Sequence, residues 1–324
     1  MQTWTLDFGN EQDRGKRREQ EDYFASFSPV QEVVNSEGGF LAVVADGMGG
    51  HTSGAKASVL AVNAFVEEYK RKRADQSIAD ALSSALRSAN QRLVSANLSS
   101  GQDSDMGTTL VAAVIRSNKL SWVSVGDSRL FLYRGGQLLD INENHSYGAE
   151  LDAKKKLSQI STEELEAGKK NRGMLTSYLG LEDIPQIDIS NQPIELYPNE
   201  RVLICTDGLT DALTKNEITM LLKSSNSAQE TCETLIQHAL DKNLYKQDNI
   251  TIILLELKLN DKPQTVDGAT VSLSMLDITS FDDYEKTVKL TTPIIIRKRP
   301  SLKIILGIIL IVLAVAAFGL YLLH

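Results

Sequence analysis

Five short acidic segments hold the residues whose types and spacing can do chemistry: Glu21-Asp22, Asp46-Gly47-Met48-Gly49-Gly50, Gly126-Asp127-Ser128-Arg129, Asp207-Gly208-Leu209-Thr210-Asp211 and Asp248-Asn249. All but the first lie at or next to the end of a run rich in Val, Ile and Leu. Such a run reads as a buried strand, so each carboxylate is delivered where a strand leaves the core. Carboxylates gathered from several strand ends repel one another unless hard cations lie between them. An all-oxygen donor set favours Mg²⁺ or Mn²⁺ over zinc. The two cysteines, Cys205 and Cys232, offer neither a disulfide framework nor a zinc spacing. Cys205 closes the apolar run Val202-Leu203-Ile204-Cys205 and reads as core packing.

The elements that must position these acids follow from periodicity. Strands are expected at Trp4–Phe8, Phe40–Ala45, Thr108–Arg116, Lys119–Val125, Arg129–Arg134, Arg201–Thr206 and Asn249–Leu257. Ser117-Asn118 and Gly135-Gly136 are turns short enough to force antiparallel hairpins, because parallel neighbours need a long crossover. Apolar residues at three- and four-residue spacing predict helices over Ser53–Arg73, Ser77–Leu98, Lys215–Lys223 and Ala228–Lys242. Helix pairs alternating with antiparallel strands give an α+β class: four layers, α/β/β/α, with a central antiparallel β-sandwich flanked by helix pairs.

Residues 1–258 read as one compact domain. Between about 146 and 184 the pattern weakens into a helical flap insertion with a basic face, including Lys154-Lys155-Lys156, a capping-box start at Ser161, and Lys169-Lys170-Asn171-Arg172. Residues 259–296 read as a polar linker, with one apolar-mixed piece at Val271–Ile278. A basic juxtamembrane segment, 297–303, then leads into the uncharged stretch Ile304–Leu323, long enough for a bilayer-spanning helix. Arg297, Lys298, Arg299 and Lys303 before it place the compact domain in the cytoplasm, as a single-pass C-terminal anchor in the cell membrane. The chain opens without a secretory signal pattern. Its net charge is −8, and those four cations lie outside residues 1–296, which therefore carry −12. That balance argues against nucleic acid as a partner and fits a metal-loading site.

In order along the chain, Gly15-Lys16-Arg17-Arg18-Glu19-Gln20-Glu21-Asp22, Val44-Ala45-Asp46-Gly47-Met48-Gly49-Gly50-His51, Gly107-Thr108-Thr109, Gly126-Asp127-Ser128-Arg129, Thr206-Asp207-Gly208 and Asp248-Asn249-Ile250-Thr251 resemble the motifs of the type-2C metal-dependent protein serine/threonine phosphatases, in their bacterial form. The resemblance implies that Asp46 bridges two Mg²⁺ or Mn²⁺ ions, with the Gly47 carbonyl, Asp207 and Asp248 as further direct ligands. It implies that Glu21 and Asp22 act largely through water. Asp127, Asp207 and Asp211 match the positions holding a third, weaker ion.

The implied reaction is hydrolysis of phosphoserine and phosphothreonine in proteins by a metal-bridging water or hydroxide, without a phosphoenzyme. Arg17 matches the residue that grips the phosphate, a task that suits a planar guanidinium; Arg18, one residue out of register, competes for it. Gln20 departs from the usual Asn or Met but keeps an amide. Met48 stands where many eukaryotic members carry a proposed acidic His, which leaves His51 or a metal-bound water to protonate the leaving oxygen. His145 reads as structural. The implied partners are phosphorylated proteins, a Ser/Thr kinase on the same membrane and that kinase's substrates. Two rival readings are a non-catalytic phosphoprotein-binding relative or membrane scaffold, and a regulatory phosphatase of the sporulation type acting on an anti-sigma antagonist.

Overall fold

A computed structural model describes residues 3–28, 36–49, 53–100, 106–224 and 226–260. His51, the linker from residue 261 on, the basic juxtamembrane segment and the candidate span Ile304–Leu323 lie outside the described residues. Residues 259 and 260, expected to open the linker, instead end the last strand of the domain, where they pair with the first strand. Among the described residues no helix is long and apolar enough to cross a membrane.

The chain lays down β1 (Thr3–Asp13), β2 (Asp22–Phe27), β3 (Phe40–Met48), α1 (Ser53–Lys70), α2 (Ile78–Ser100), β4 (Gly107–Thr108), β5 (Leu110–Arg116), β6 (Lys119–Val125), β7 (Arg129–Arg134) and β8 (Gln137–Asp140). The flap contributes α3 (Tyr147–Lys156), α4 (Thr162–Gly168) and a 3₁₀ turn, Lys169–Asn171. There follow β9 (Asp188–Ile189), β10 (Ile194–Glu195), β11 (Arg201–Cys205), α5 (Asp207–Ala212), α6 (Lys215–Leu222), α7 (Ala228–Asp241) and β12 (Ile250–Asn260).

Two antiparallel sheets result. One runs β1-β12-β11-β7-β8, the other β10-β6-β5-β3-β2, with β4 and β9 attached to β3 and β6. Strand side chains alternate between faces, and the buried residues sort accordingly. On β3, Leu41, Val43 and Ala45 pack with α1 and α2, while Phe40, Ala42 and Val44 meet the other sheet. On β12, Ile253, Leu255 and Leu257 face the inter-sheet core, and Ile250, Ile252 and Leu254 face α6 and α7. Both faces of each central strand are therefore covered, which explains why they read as unbroken apolar runs. The expected α/β/β/α sandwich is observed. Cys205 on β11 and Cys232 on α7 are buried in the outer core between that sheet and its helices, as packing residues.

Four elements escape the periodicity. β2 is short and half-exposed, β9 and β10 have two residues each, and α5 is six residues placed directly after β11. The flap's α4 starts with the expected capping box: the Ser161 hydroxyl accepts from the Glu164 N–H, and the Glu164 carboxylate accepts from the Ser161 N–H.

Candidate active site

The site sits at one end of the sandwich. Asp22 opens β2 and is the register partner of Asp46, near the end of β3. The sheet itself sets these two carboxylates beside one another. The Asp46 N–H donates to Thr109 Oγ1 (2.9 Å), and Thr108 Oγ1 donates to the Asp46 carbonyl (2.7 Å). Thr109 Oγ1 lies 2.7 Å from Ser128 Oγ, tying Asp46 to the turn that carries Asp127. Asp22 Oδ2 accepts from Thr206 Oγ1 at 2.9 Å, next to Asp207 at the end of β11, so one hydrogen bond links the two sheets at the site.

Gly47 is required by close approach. Its N–H donates to the Glu21 carbonyl (3.1 Å), and a Cβ there would drive into the Gly54 carbonyl at the start of α1. A Cβ on Gly54 would in turn stand 2.7 Å from the Gly47 carbonyl oxygen and 2.5 Å from Glu21 Oε1. Those two oxygens thus converge over a spot that only a glycine leaves open.

The other acids come from the second sheet. Asp127 lies in the turn between β6 and β7, Asp207 begins α5, Asp211 lies one turn later, and Asp248 lies two residues before β12. Asp127, Asp207 and Asp211 line a cavity of about 530 Å³ whose opposite wall is the flap, with Lys156 and Arg172 among its lining residues. Asp207 Oδ1 is fully buried and has no hydrogen-bond partner.

Burial and mutual repulsion raise the acid pKa values together. Burial pushes Asp22 up to about 7, with Asp248 and Glu21 adding to the rise. Asp46 is held well above the usual range by burial, then by Asp22, Asp207, Asp127 and Asp248 in turn. Burial raises Asp207 to about 8, with Asp127 the strongest neighbour, and raises Asp127 to about 6. Asp46 and Asp207 resist ionising at neutral pH in this company, so cations among them would let the cluster carry its full charge. Among the described residues no three such side chains are gathered tightly enough to hold an ion as they stand. The donors nevertheless suit a hard cation: all are oxygens, one buried oxygen is unpartnered, and a backbone carbonyl and Glu21 Oε1 converge beside them.

Arg17 is half-exposed; its NH2 pairs with Asp248 Oδ2 at 2.5 Å, and its NH1 lies 4.0 Å from Glu21 Oε2. The loop that carries it is fastened by Asn249. The Asn249 side chain donates to the carbonyls of Arg14 (2.9 Å) and Glu19 (3.0 Å) and accepts from the Glu21 N–H (2.8 Å). Gly15, at φ +60°, lets the loop press on the Asp248 carbonyl, and the Lys16 N–H donates to the Gln247 carbonyl (3.0 Å). Gln20 Oε1 accepts from the Asp22 N–H at 3.2 Å, so the retained amide has a partner. Arg18 is exposed, and its carbonyl accepts from Arg14. His145 is buried: its N–H donates to the Gly126 carbonyl (3.0 Å) and its Nδ1 accepts from the Gly126 N–H (3.1 Å). It braces the turn before Asp127.

The sequence reading assigned no part to Asn249, Thr109, Ser128 or Thr206. Asn249, Ser128 and Thr206 each adjoin an acid in the sequence, and that adjacency was the available signal; Thr109 has no acidic neighbour, and its hydrogen bond from the Asp46 N–H is what reveals it.

Residues 18–247 match the family model described as protein phosphatase 2C. The chain belongs to the protein phosphatase 2C family. It is similar to the serine/threonine phosphatase stp of Listeria monocytogenes, at 32% identity over 68% of this chain and 86% of that protein. It is also similar to protein phosphatase PhpP of Streptococcus pneumoniae, at 30% identity over 76% of this chain and 95% of that protein. Among solved structures, the S. agalactiae serine/threonine phosphatase aligns with a TM-score of 0.66 and 25% identity, over 78% of this chain and 99% of that one. The catalytic domain of PstP, solved with two manganese ions, aligns at 0.62 and 28% identity over 79% of this chain and 100% of that one. Five of the six motifs lie wholly or mainly within the matched span. Arg17 and Asp248 flank it by one residue on either side, and the pair they form closes the site.

Proposed function

We propose that this chain hydrolyses phosphoserine and phosphothreonine esters in proteins with two core Mg²⁺ or Mn²⁺ ions and a third, weaker one. The observation that carries the reading is the convergence of acids from both sheets on one end of the sandwich, with a buried, unpartnered oxygen on Asp207 and Arg17 at the edge. Asp46, the Gly47 carbonyl, Asp207 and Asp248 would hold the core ions, supported by Glu21 and Asp22. Asp127, Asp207 and Asp211 would hold the third. Ions bound there supply an activated water at neutral pH and screen the phosphate's charge.

The chain's own residues do the rest. The paired strands β2 and β3 hold Asp22 and Asp46 in register, so the attacking side of the site is fixed before substrate arrives. Arg17 commits one nitrogen to Asp248 and keeps further N–H donors for two phosphate oxygens. Met48 has no proton to give, which leaves His51 as the chain's candidate donor to the leaving serine or threonine oxygen.

The retained acids disfavour a purely phosphoprotein-binding or scaffolding role. The natural substrates on this reading are proteins phosphorylated by a membrane Ser/Thr kinase, and that kinase itself. The stretch Ile304–Leu323 with its four flanking cations supports a single-pass anchor holding the catalytic domain at the cytoplasmic face of the cell membrane.

Turnover of p-nitrophenyl phosphate and of a phosphothreonine peptide, with Mn²⁺ or Mg²⁺ and with chelator, tests the activity. Chelator-sensitive hydrolysis is expected. Folded protein that binds phosphopeptide but turns over neither compound with either metal would establish the binding reading instead. Cutting before Arg297 should give soluble, active enzyme; a truncated protein that stays with membranes would refute the anchor.

A further inference from the structure

Beside Arg17 the acidic chain turns locally basic. Arg14, Lys16 and Arg18 on the first loop and Lys246 on the loop before β12 are exposed, and among the described residues none has a carboxylate partner. Within residues 14–19 the one acid is Glu19, while Asp248 is paired with Arg17 and Asp13 Oδ1 accepts from the Gly15 N–H (2.7 Å). The two loops form one surface. Lys16 Nζ donates to Asn243 Oδ1 at 2.7 Å, and the Lys16 N–H reaches the Gln247 carbonyl. Next to Lys246 stands Tyr245, 91% exposed, an aromatic ring that nothing in the fold requires outside. The patch adjoins Arg17, so a protein whose phosphoresidue lies against Arg17 brings neighbouring residues within its reach.

We propose that this patch selects substrates with acidic residues flanking the phosphoserine or phosphothreonine. The inference rests on the phosphatase reading and adds to it a substrate class. The protein carries a net charge of −8, and the catalytic acids face the same opening. Away from its basic surfaces an acidic peptide is therefore repelled, and on the Arg17 side of the site this edge is where it is attracted. Unpaired cations around a phosphate-gripping arginine invert that field locally. The exposed tyrosine adds apolar contact without needing a buried partner for its hydroxyl. Exposed charges act weakly and are screened by salt, so the effect belongs in KM and in ionic strength rather than in the chemical step.

The test compares the full chain with Lys246→Ala, Lys246→Glu and Tyr245→Ala, on p-nitrophenyl phosphate and on phosphothreonine peptides flanked by Glu, Gln or Lys. The wild type is expected to show a KM for the Glu peptide about fivefold below that for the Gln peptide at low salt, the gap closing as salt is raised. Lys246→Ala should narrow the gap, Lys246→Glu should abolish it, and Tyr245→Ala should raise KM for all three peptides. Turnover of p-nitrophenyl phosphate should stay unchanged in each. Equal KM values in the wild type, or a preference surviving Lys246→Glu, overturns the proposal. So does binding to phosphatidylserine vesicles that is lost in Lys246→Glu while the peptide KM values stay put; that result gives the patch to a membrane surface. Absence of p-nitrophenyl phosphate turnover in the wild type is a different failure, of the phosphatase reading itself.

Discussion

The inner and outer halves of the acid cluster are built by different means. Asp22 and Asp46 are register partners on neighbouring strands, each fixed by a threonine hydroxyl, and they move only if the sheet moves. Asp127 and Asp211 stand in a turn and on a six-residue helix, against a flap that shares a cavity with them. A site made this way has a rigid centre and an adjustable rim. The centre should tolerate no change of ligand, and the rim should respond to ion concentration.

Substitution of Asp46 in the centre, and of Asp207 where centre and rim meet, is the strongest way to break that contrast. Asp46→Asn and Asp207→Asn keep the shape and remove the charge that, on the proposed reading, would face a cation. Turnover should fall by about three orders of magnitude or more in each, with the far-ultraviolet circular dichroism unchanged. Near-normal activity in either would show that the acids were assigned wrongly.

At the rim the expected loss is smaller and of another kind. Asp211 is exposed, at the open end of the outer set. Asp211→Asn should lower turnover by about tenfold at limiting Mn²⁺ and recover as Mn²⁺ is raised, because a weaker site fills by mass action. Titration calorimetry should show one weak binding event lost and the tight ones kept. A loss that no Mn²⁺ concentration repairs would place Asp211 with the centre.

What was legible in the sequence divides along the same line. Asp46 and Asp207 end unbroken apolar runs, and Asp248 begins one, because their strands are covered on both faces. The pairing of Asp22 with Asp46 was hidden, since β2 reads Asp-Tyr-Phe-Ala-Ser-Phe, half-exposed and too short for a clear alternation. α5 was invisible because six residues cannot establish a helical period. The part played by Asn249 joins residues more than two hundred positions apart, and no local pattern reports such a contact.

The raised pKa values set a third expectation. Unfolded aspartate titrates near 3.8, whereas Asp127, Asp22 and Asp207 are pushed up to about 6, 7 and 8. A carboxyl whose folded pKa is raised adds stability that is complete below the unfolded value and lost as pH rises through the folded one. Metal-stripped protein should therefore melt at progressively lower temperature between about pH 5 and pH 8, and saturating Mn²⁺ should reverse the trend. Asp207→Asn should flatten the profile and raise the metal-free melting temperature at pH 8 by a few degrees, as about 1 kcal/mol does in a domain of this size. A metal-free melting temperature that rises with pH would mean that the acids are not crowded.

The smallest expected effect tests whether the centre depends on its approach loop. Gln20 Oε1 accepts from the Asp22 N–H at 3.2 Å, and Gln20 is half-buried, so water can take over the bond. Gln20→Leu should therefore cost less than about 1 kcal/mol and leave turnover within about twofold. Asp22 keeps its sheet register and the Thr206 hydroxyl, which do not involve this side chain. Thermal melts and a Mn²⁺ titration of the variant measure both quantities. A tenfold fall in turnover with an unchanged melting temperature would show that the loop carrying Arg17, rather than the sheet, sets where Asp22 points. The rigid part of the site would then end at Asp46.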